Sequence, residues 1–242
     1  MKNKIDILLN NFSELKLIKL NKSPEILAKM DESMLDNLID LTNIEVDAKK
    51  LRANQAMIKT AGFPSLKTIE EFDFSFQEDL DKDQILELAT LKFVDNKENI
   101  VFLGNSGVGK THLATAIGIK SAQNRFSTYF IKCHDLIIAL KRAFLENRLE
   151  EVLKKYNRYR VLIIDELGYL PINSEDSKLL FQLIDKRYEN KSTIFTTNIP
   201  FNKWDTIFSD PLIASAIIDR VLHHCNVVQI TGNSFRIKNY VE

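Results

Sequence analysis

The sequence predicts an α/β fold: a five-stranded, mainly parallel sheet preceded by a small helical N-terminal region. Three observations predict it. Five short apolar runs alternate with helix-period stretches from about Gln84 onward. One of these runs feeds a glycine loop that opens into a helix. Another ends abruptly in two carboxylates, as a buried parallel strand does.

The elements follow in chain order. Ile5, Leu8, Leu9, Phe12 and Leu15 recur at helical spacing and predict a first amphipathic helix. Ser23-Pro24-Glu25 reads as an N-cap with proline at the first helical position. Thr42-Asn43-Ile44-Glu45 fits a capping box and predicts a third helix running through Lys49-Lys50-Leu51-Arg52. Gly62-Phe63-Pro64 ends the helical region, which spans residues 1–62. Residues 63–83 form a linker. Within it Phe72-Asp73-Phe74-Ser75-Phe76 alternates with period two, which predicts an extended arm pinning its phenylalanines onto the next domain. A base-stacking platform is the less favoured reading of the same alternation. Residues 84–242 carry the sheet. Its strands are predicted near Ile100–Leu103, Thr128–Ile131, Val161–Asp165, Thr193–Thr197 and Val227–Gln229. Helices are predicted from Lys110 to about Ala122, Asp135 to about Leu145 and Glu175 to about Tyr188, with another after Pro211.

Bulk composition narrows the function classes. The chain has 242 residues, 45% of them hydrophobic and 27% charged, with a formal net charge of zero. A uniformly basic coat is excluded, although charge segregated to one face is not. Cys133 and Cys225 lack C-x-x-C spacing, so neither a structural disulfide nor a zinc site built on cysteines is expected. No apolar run approaches the ~18 residues of a membrane span, and the N-terminus carries no secretory pattern. These readings point to the cytoplasm and away from membranes.

The glycine loop is Gly104-Asn105-Ser106-Gly107-Val108-Gly109-Lys110-Thr111, a full match to G-x-x-x-x-G-K-[ST]. Glycines let successive backbone N–H groups face a phosphate chain, because no Cβ blocks the approach. The following helix adds its positive N-terminal end. Lys110 then reaches the β- and γ-phosphates of ATP, and the Thr111 hydroxyl ligates Mg2+. His112 closes this nucleotide-binding set.

Val161-Leu162-Ile163-Ile164-Asp165-Glu166 presents its carboxylates at a strand's carboxyl end, where ligands of open α/β sheets lie. Asp165 is placed to hold the metal, directly or through water, and Glu166 to orient an attacking water. A carboxylate beside a γ-phosphate is useful for polarising water, which marks a hydrolysing enzyme. Thr193-Ile194-Phe195-Thr196-Thr197 ends at Asn198, which either senses the γ-phosphate or simply turns the chain before Ile199-Pro200. Asp219-Arg220 reads as a charged helix edge, or as an arginine that reaches a neighbouring copy's γ-phosphate. His223 and His224 have no acidic or cysteine partner at ligand spacing, so no metal is expected there. Between Lys132 and Arg160 eight basic residues face four acidic ones, a local excess of four positive charges. A solvated helical face is the ordinary reading, and contact with a phosphate backbone the sharper one.

Taken together, Gly104–Thr111, Asp165-Glu166-Leu167-Gly168-Tyr169-Leu170-Pro171, Thr196-Thr197-Asn198 and Asp219-Arg220-Val221-Leu222-His223-His224 resemble the IstB-like ATPases. These are AAA+ P-loop NTPases encoded by insertion sequences beside a transposase, related to the DnaC/DnaI helicase loaders. The resemblance extends through Phe63-Pro64 and Thr68–Phe74, so it covers most of the chain. It implies a Walker A pair Lys110 and Thr111, a Walker B pair Asp165 and Glu166, a sensor Asn198 and a trans-acting arginine finger Arg220. It implies that residues 132–160 are the helical insertion that touches DNA, with Lys141, Arg142, Arg148, Lys154 and Lys155 as candidates. It also implies ATP and Mg2+ as ligands, a homo-oligomer joined through ATP, duplex DNA and a transposase as partners, and a bacterial host. The stretch after the last predicted strand is too short for a helical lid, so no sensor role is expected of Arg236 or Lys238.

Three functions fit these residues to different degrees. A DNA-binding transposition ATPase fits best. A replicative helicase loader shares the core and would use its N-terminal helices to grip the helicase. A small-molecule kinase needs an acceptor pocket and a lid, and no segment supplies them.

Overall fold

The computed structural model describes residues 2–236, and Lys238 lies outside them. The chain divides into two compact units, Met1–Ala56 and Met57–Glu242.

The first unit contains helices α1 (Lys2–Glu14), α2 (Ile18–Asn21), α3 (Pro24–Leu27) and most of α4 (Glu32–Thr60). Leu8 and Phe12 of α1 pack with Leu27 and Leu35 into a small core. Of two local expectations, one holds in position without its capping bond and the other fails. Ser23 sits at the N-cap of α3 with Pro24 behind it, but its hydroxyl donates to the Lys19 carbonyl instead of capping. Thr42 opens no helix, because α4 runs unbroken through it. Leu35, Thr42 and Val46 are buried along α4 at helical spacing, so packing holds the helix together there. The Thr42 hydroxyl is satisfied without a break: it donates to the Leu38 carbonyl at 2.8 Å and accepts from Asn11 at 3.0 Å.

The second unit begins with α5 (Lys82–Leu88) and α6 (Lys92–Asp95) after the arm. The sheet and its helices follow as β1 (Asn99–Gly104), α7 (Lys110–Gln123), β2 (Thr128–Lys132), α8 (Cys133–Leu145), α9 (Leu149–Asn157) and β3 (Val161–Leu167). The rest are α10 (Ser174–Arg187), β4 (Ser192–Thr197), a 3-10 turn (Phe201–Thr206), α11 (Pro211–Leu222) and β5 (Cys225–Ile230). The five strands lie in the order β2-β3-β4-β1-β5, and every pairing is parallel. Side chains alternate across the pleat and so feed two cores. Ile100 and Phe102 face α7 on one side. Val101 and Phe195 face α8, α10 and α11 on the other. The sheet is doubly wound, and β4 lies between β1 and β3. The glycine loop after β1 and the carboxylates of β3 therefore flank the end of β4.

The Phe72–Phe76 segment is not extended. Phe72 N–H donates to Ile69, Phe74 N–H to Phe72 and Gln77 N–H to Phe74, a run of tight turns. The Asp73 carboxylate explains it: it accepts from Ser75 Oγ at 2.6 Å and Phe76 N–H at 3.2 Å, which folds the chain locally. The phenylalanines still pack inward. Phe72 is buried in the α7-side core, and Phe74 packs against it.

One buried cation organises the opposite core. Arg187, at the end of α10, is 2% exposed and donates to the carbonyls of Tyr156, Tyr159 and Ser192 and to the Thr193 hydroxyl. Burial pushes its pKa down to about 9, so it stays protonated at neutral pH. Arg187→Met is expected to leave three buried acceptors, and a part-buried one at Tyr159, without their donor. At about 1–3 kcal/mol for each orphaned group, a loss of at least ~3 kcal/mol is expected. A urea titration measures it, and a loss below about 1 kcal/mol would contradict this account.

Candidate nucleotide site

The glycine loop is built by backbone conformation. Gly107 and Gly109 have φ of +84° and +103°, in the left-handed region. A Cβ on Gly109 would collide with the Phe72 ring, and one on Gly107 with the Ser234 hydroxyl. The loop is pinned from outside as well, since Phe235 N–H donates to the Gly107 carbonyl at 2.9 Å. Gly109 is the N-cap of α7, so the first turn of a 14-residue helix aims into the loop. Lys110 Nζ donates to the carbonyls of Gly104 and Asn105 at 2.8 and 2.7 Å. Burial, the leading cause, pushes its pKa down, with Arg236 adding to the effect and Asp165 opposing it.

A hydrogen-bonded chain joins the loop to β3. Thr111 and Thr196 both donate to Asp165 Oδ1, at 2.9 and 2.6 Å. Thr196 Oγ1 in turn accepts from Glu166 N–H at 2.9 Å. Asp165 is 2% exposed, and burial outweighs these two hydroxyls to raise its pKa. Its negative charge is thus costly without a cation. Oxygen donors around an undercompensated buried carboxylate fit a hard divalent ion such as Mg2+, which Thr111 and Asp165 would hold. Glu166 stands apart. It is exposed, and its φ of +61° is unusual for a residue with a side chain. The strand register shifts between Ile164 and Leu167, so this conformation falls at an irregularity in the β3–β4 pairing. Lys132 Nζ, at the end of β2, pairs with it at 3.1 Å.

The loop, Glu166, Thr196, Thr197 and Asn198 line a cleft of about 730 Å³, large enough for a nucleotide. Asn198 is exposed at the end of β4, beside the β3 strand as expected. The arm forms a second wall through Pro64, Lys67, Glu71, Phe72 and Gln77. His112 lines the cleft too, but its Nε2 lies 2.7 Å from the Thr68 carbonyl and its ring meets Phe72 edge-on. It therefore anchors the arm to α7. Arg236, of which no sensor role is expected, also lines the cleft. Sequence spacing missed Lys132, Gln77 and Arg236 because each arrives from a remote segment. Only Lys132, at the end of a predicted strand next to that of Asp165, had a legible signal.

Arg220 is absent from the residues that line this cleft. Its Nε donates to Asp185 at 2.6 Å, and its guanidinium lies 4.7 Å from the Phe181 ring centre. The fold corrects the expectation for His223 and His224. Glu189 Oε1 lies 3.9 Å from His223 Nδ1 and 3.7 Å from His224 Nε2, an acidic partner supplied from distant sequence. The candidate DNA-contacting cations are exposed on α8, α9 and the turn between them. Lys141 pairs with Asp176, Arg142 with Glu146, Arg148 with Glu146 and Glu151, and Lys154 with Glu150. Lys155 lies over the Tyr156 ring. Asp176 is buried, but the other pairs are exposed and worth about 0–1 kcal/mol each, so Arg142, Arg148 and Lys154 remain exchangeable.

A glycine loop, a Walker-type carboxylate pair and this strand order define an AAA+ P-loop nucleotide-binding protein. Residues 13–242 match the IstB-like ATP binding protein family, and the chain belongs to it. It is 53% identical, over 99% of its length and 98% of the relative's, to an insertion sequence IS232 ATP-binding protein of Bacillus thuringiensis subsp. berliner. Its fold is similar to AMPPCP-bound DnaA from Aquifex aeolicus, with TM-score 0.59 and 21% identity, covering 74% of this chain and 54% of that one. DnaI shares the fold as well, with TM-score 0.57 and 20% identity over 73% of this chain and 94% of that one. Among the described residues, no helix is long and apolar enough to cross a membrane.

Proposed function

We propose that the chain hydrolyses ATP with Mg2+, assembles on duplex DNA through ATP held between copies, and assists the transposase of its insertion sequence in target insertion. The observation that carries the hydrolytic part is the Thr111–Asp165–Thr196–Glu166 chain, which ties the Asp165 carboxylate to the backbone N–H of Glu166, a residue whose own carboxylate stays separate and exposed. The 53% identical relative is named for its insertion sequence, which supports the cellular role. In this reading Lys110 and the loop N–H groups bind the phosphates, and Mg2+ supplies charge neutralisation at them. Thr111 and Asp165 hold that ion, Glu166 orients water, and Asn198 reports the γ-phosphate. The arm and residues 84–242 make one nucleotide-binding body, working in the bacterial cytoplasm.

Arg220 supports assembly. Because it lies away from the cleft of its own chain, it is free to serve a neighbour's nucleotide once its Asp185 pair opens. Arg220→Ala is expected to leave ATP affinity within about threefold while lowering assembled turnover roughly 1,000-fold, the low end for arginine fingers. Equal turnover with and without Arg220 would remove it from the mechanism.

The basic α8–α9 segment supports DNA contact. Copies aligned on a duplex add their phosphate contacts, so a chain of zero net charge can still bind tightly. ATP hydrolysis with and without duplex DNA, at about 50 and 200 mM salt, tests the proposal alongside sedimentation. Stimulation that fades with salt, together with an ATP-dependent assembly, is expected. Turnover indifferent to DNA in a persistent monomer would overturn it in favour of a helicase loader.

A further inference from the structure

We propose that Glu189, His223 and His224 form a binding site for a divalent transition metal of the zinc class. Among the described residues, this is the one group of at least three His, Cys, Asp or Glu side chains whose ligand atoms converge, all within 4.8 Å of one another. It is separate from the nucleotide cleft and uses none of its lining residues.

Local structure assembles the three ligands. α10 ends at Arg187, and the chain turns sharply at Glu189, whose φ is +54°. That turn brings Glu189 against the end of α11, where His223 is the C-cap and His224 leads into β5. The two imidazole ring centres are 4.0 Å apart. Tyr188 OH lies 2.6 Å from His223 Nδ1, the nitrogen that also faces Glu189, so a metal bound at Nδ1 displaces this hydroxyl.

The donor chemistry selects the metal. Two imidazole nitrogens and one carboxylate suit zinc, nickel or copper, whereas magnesium and calcium demand oxygen. Zinc–nitrogen bonds of about 2.0–2.1 Å place tetrahedral ligands about 3.3 Å apart. The 3.9 and 3.7 Å separations from Glu189 Oε1 need only a small side-chain rotation to reach that geometry. Three protein ligands leave a fourth position for water. An occupied site would clamp the α10–β4 turn to the end of α11, the helix that carries Arg220.

The test uses the full chain without an affinity tag, stripped with a chelator, dialysed and titrated with cobalt(II) chloride. One saturable equivalent per chain is expected, with visible bands of low-coordinate cobalt that zinc chloride reverses. Glu189→Gln and His224→Ala should each weaken zinc binding at least about 10-fold, and their combination about 100-fold or more, scaled from the effects of outer-shell partners. All three ligands are exposed, so metal-free melting curves of the variants should match the unmodified protein. No saturable cobalt uptake, or unchanged zinc affinity in the folded double variant, overturns the site. A sulfur-to-metal absorption band overturns it too, because it would assign the metal to the neighbouring Cys225. These readouts report ligands rather than turnover, so the site stands or falls independently of the role given to Arg220.

Discussion

Lys110→Ala is expected to weaken ATP binding at least 100-fold without unfolding the protein. The lysine now donates to two loop carbonyls, those of Gly104 and Asn105. Both contacts are local, and Asn105 is exposed, so water replaces the ammonium at small cost. The same ammonium is partly desolvated, which lowers its pKa and leaves its charge in want of a strong anionic partner. A triphosphate provides one. Two charge-assisted hydrogen bonds at about 1.5–3 kcal/mol each amount to at least ~3 kcal/mol, or roughly 100-fold. Isothermal titration with ATP measures the loss, and a thermal melt checks the fold. Nucleotide affinity within threefold of the unmodified chain would mean that the loop holds phosphate through its backbone alone, and the role of Lys110 would have to be abandoned.

What was legible in the sequence follows the range of the forces involved. The glycine loop, the β3 carboxylates and the five strands are encoded within a few neighbouring residues, by backbone freedom and by runs of apolar side chains. Those elements appear where the spacing places them, although α8 begins two residues before the expected Asp135. Local capping signals were less reliable. Thr42 carries the pattern of a helix start, yet burial of Leu35, Thr42 and Val46 along one face carries α4 through it. The Phe72–Phe76 alternation looked extended, but the Asp73 side chain competes for backbone N–H groups and folds it into turns. The least legible features join remote segments. Strand order brings Lys132 to Glu166, the chain after β5 brings Arg236 to the loop, and a turn after α10 brings Glu189 to His223 and His224. No periodicity within a window encodes such meetings, since they depend on how crossovers stack.

Glu166→Gln is expected to lower ATP turnover by about 100- to 10,000-fold, the range of a lost general base, and to leave nucleotide affinity within about threefold. The substitution keeps the side chain's size and removes its charge. Its structural cost is small for two reasons. Glu166 reaches the Asp165 chain through its backbone N–H to Thr196, which glutamine retains. The carboxylate itself touches Lys132 at 3.1 Å in a pair whose members are both substantially exposed. Such a pair is worth about 0–1 kcal/mol. This sets two readings of Glu166 apart by magnitude. If the carboxylate only steadies Lys132, the variant loses at most about fivefold in any rate, because 1 kcal/mol allows no more. If it polarises water, chemistry stops while ATP stays bound, and the assembly accumulates on DNA in its ATP form. Single-turnover hydrolysis, paired with filter retention of labelled duplex, separates the two. The positive φ at Glu166 argues for the second, since a strained backbone is a costly way to place a mere surface ion pair. Full turnover in the variant would assign water activation to another group in the cleft, with Asn198 the first residue to examine.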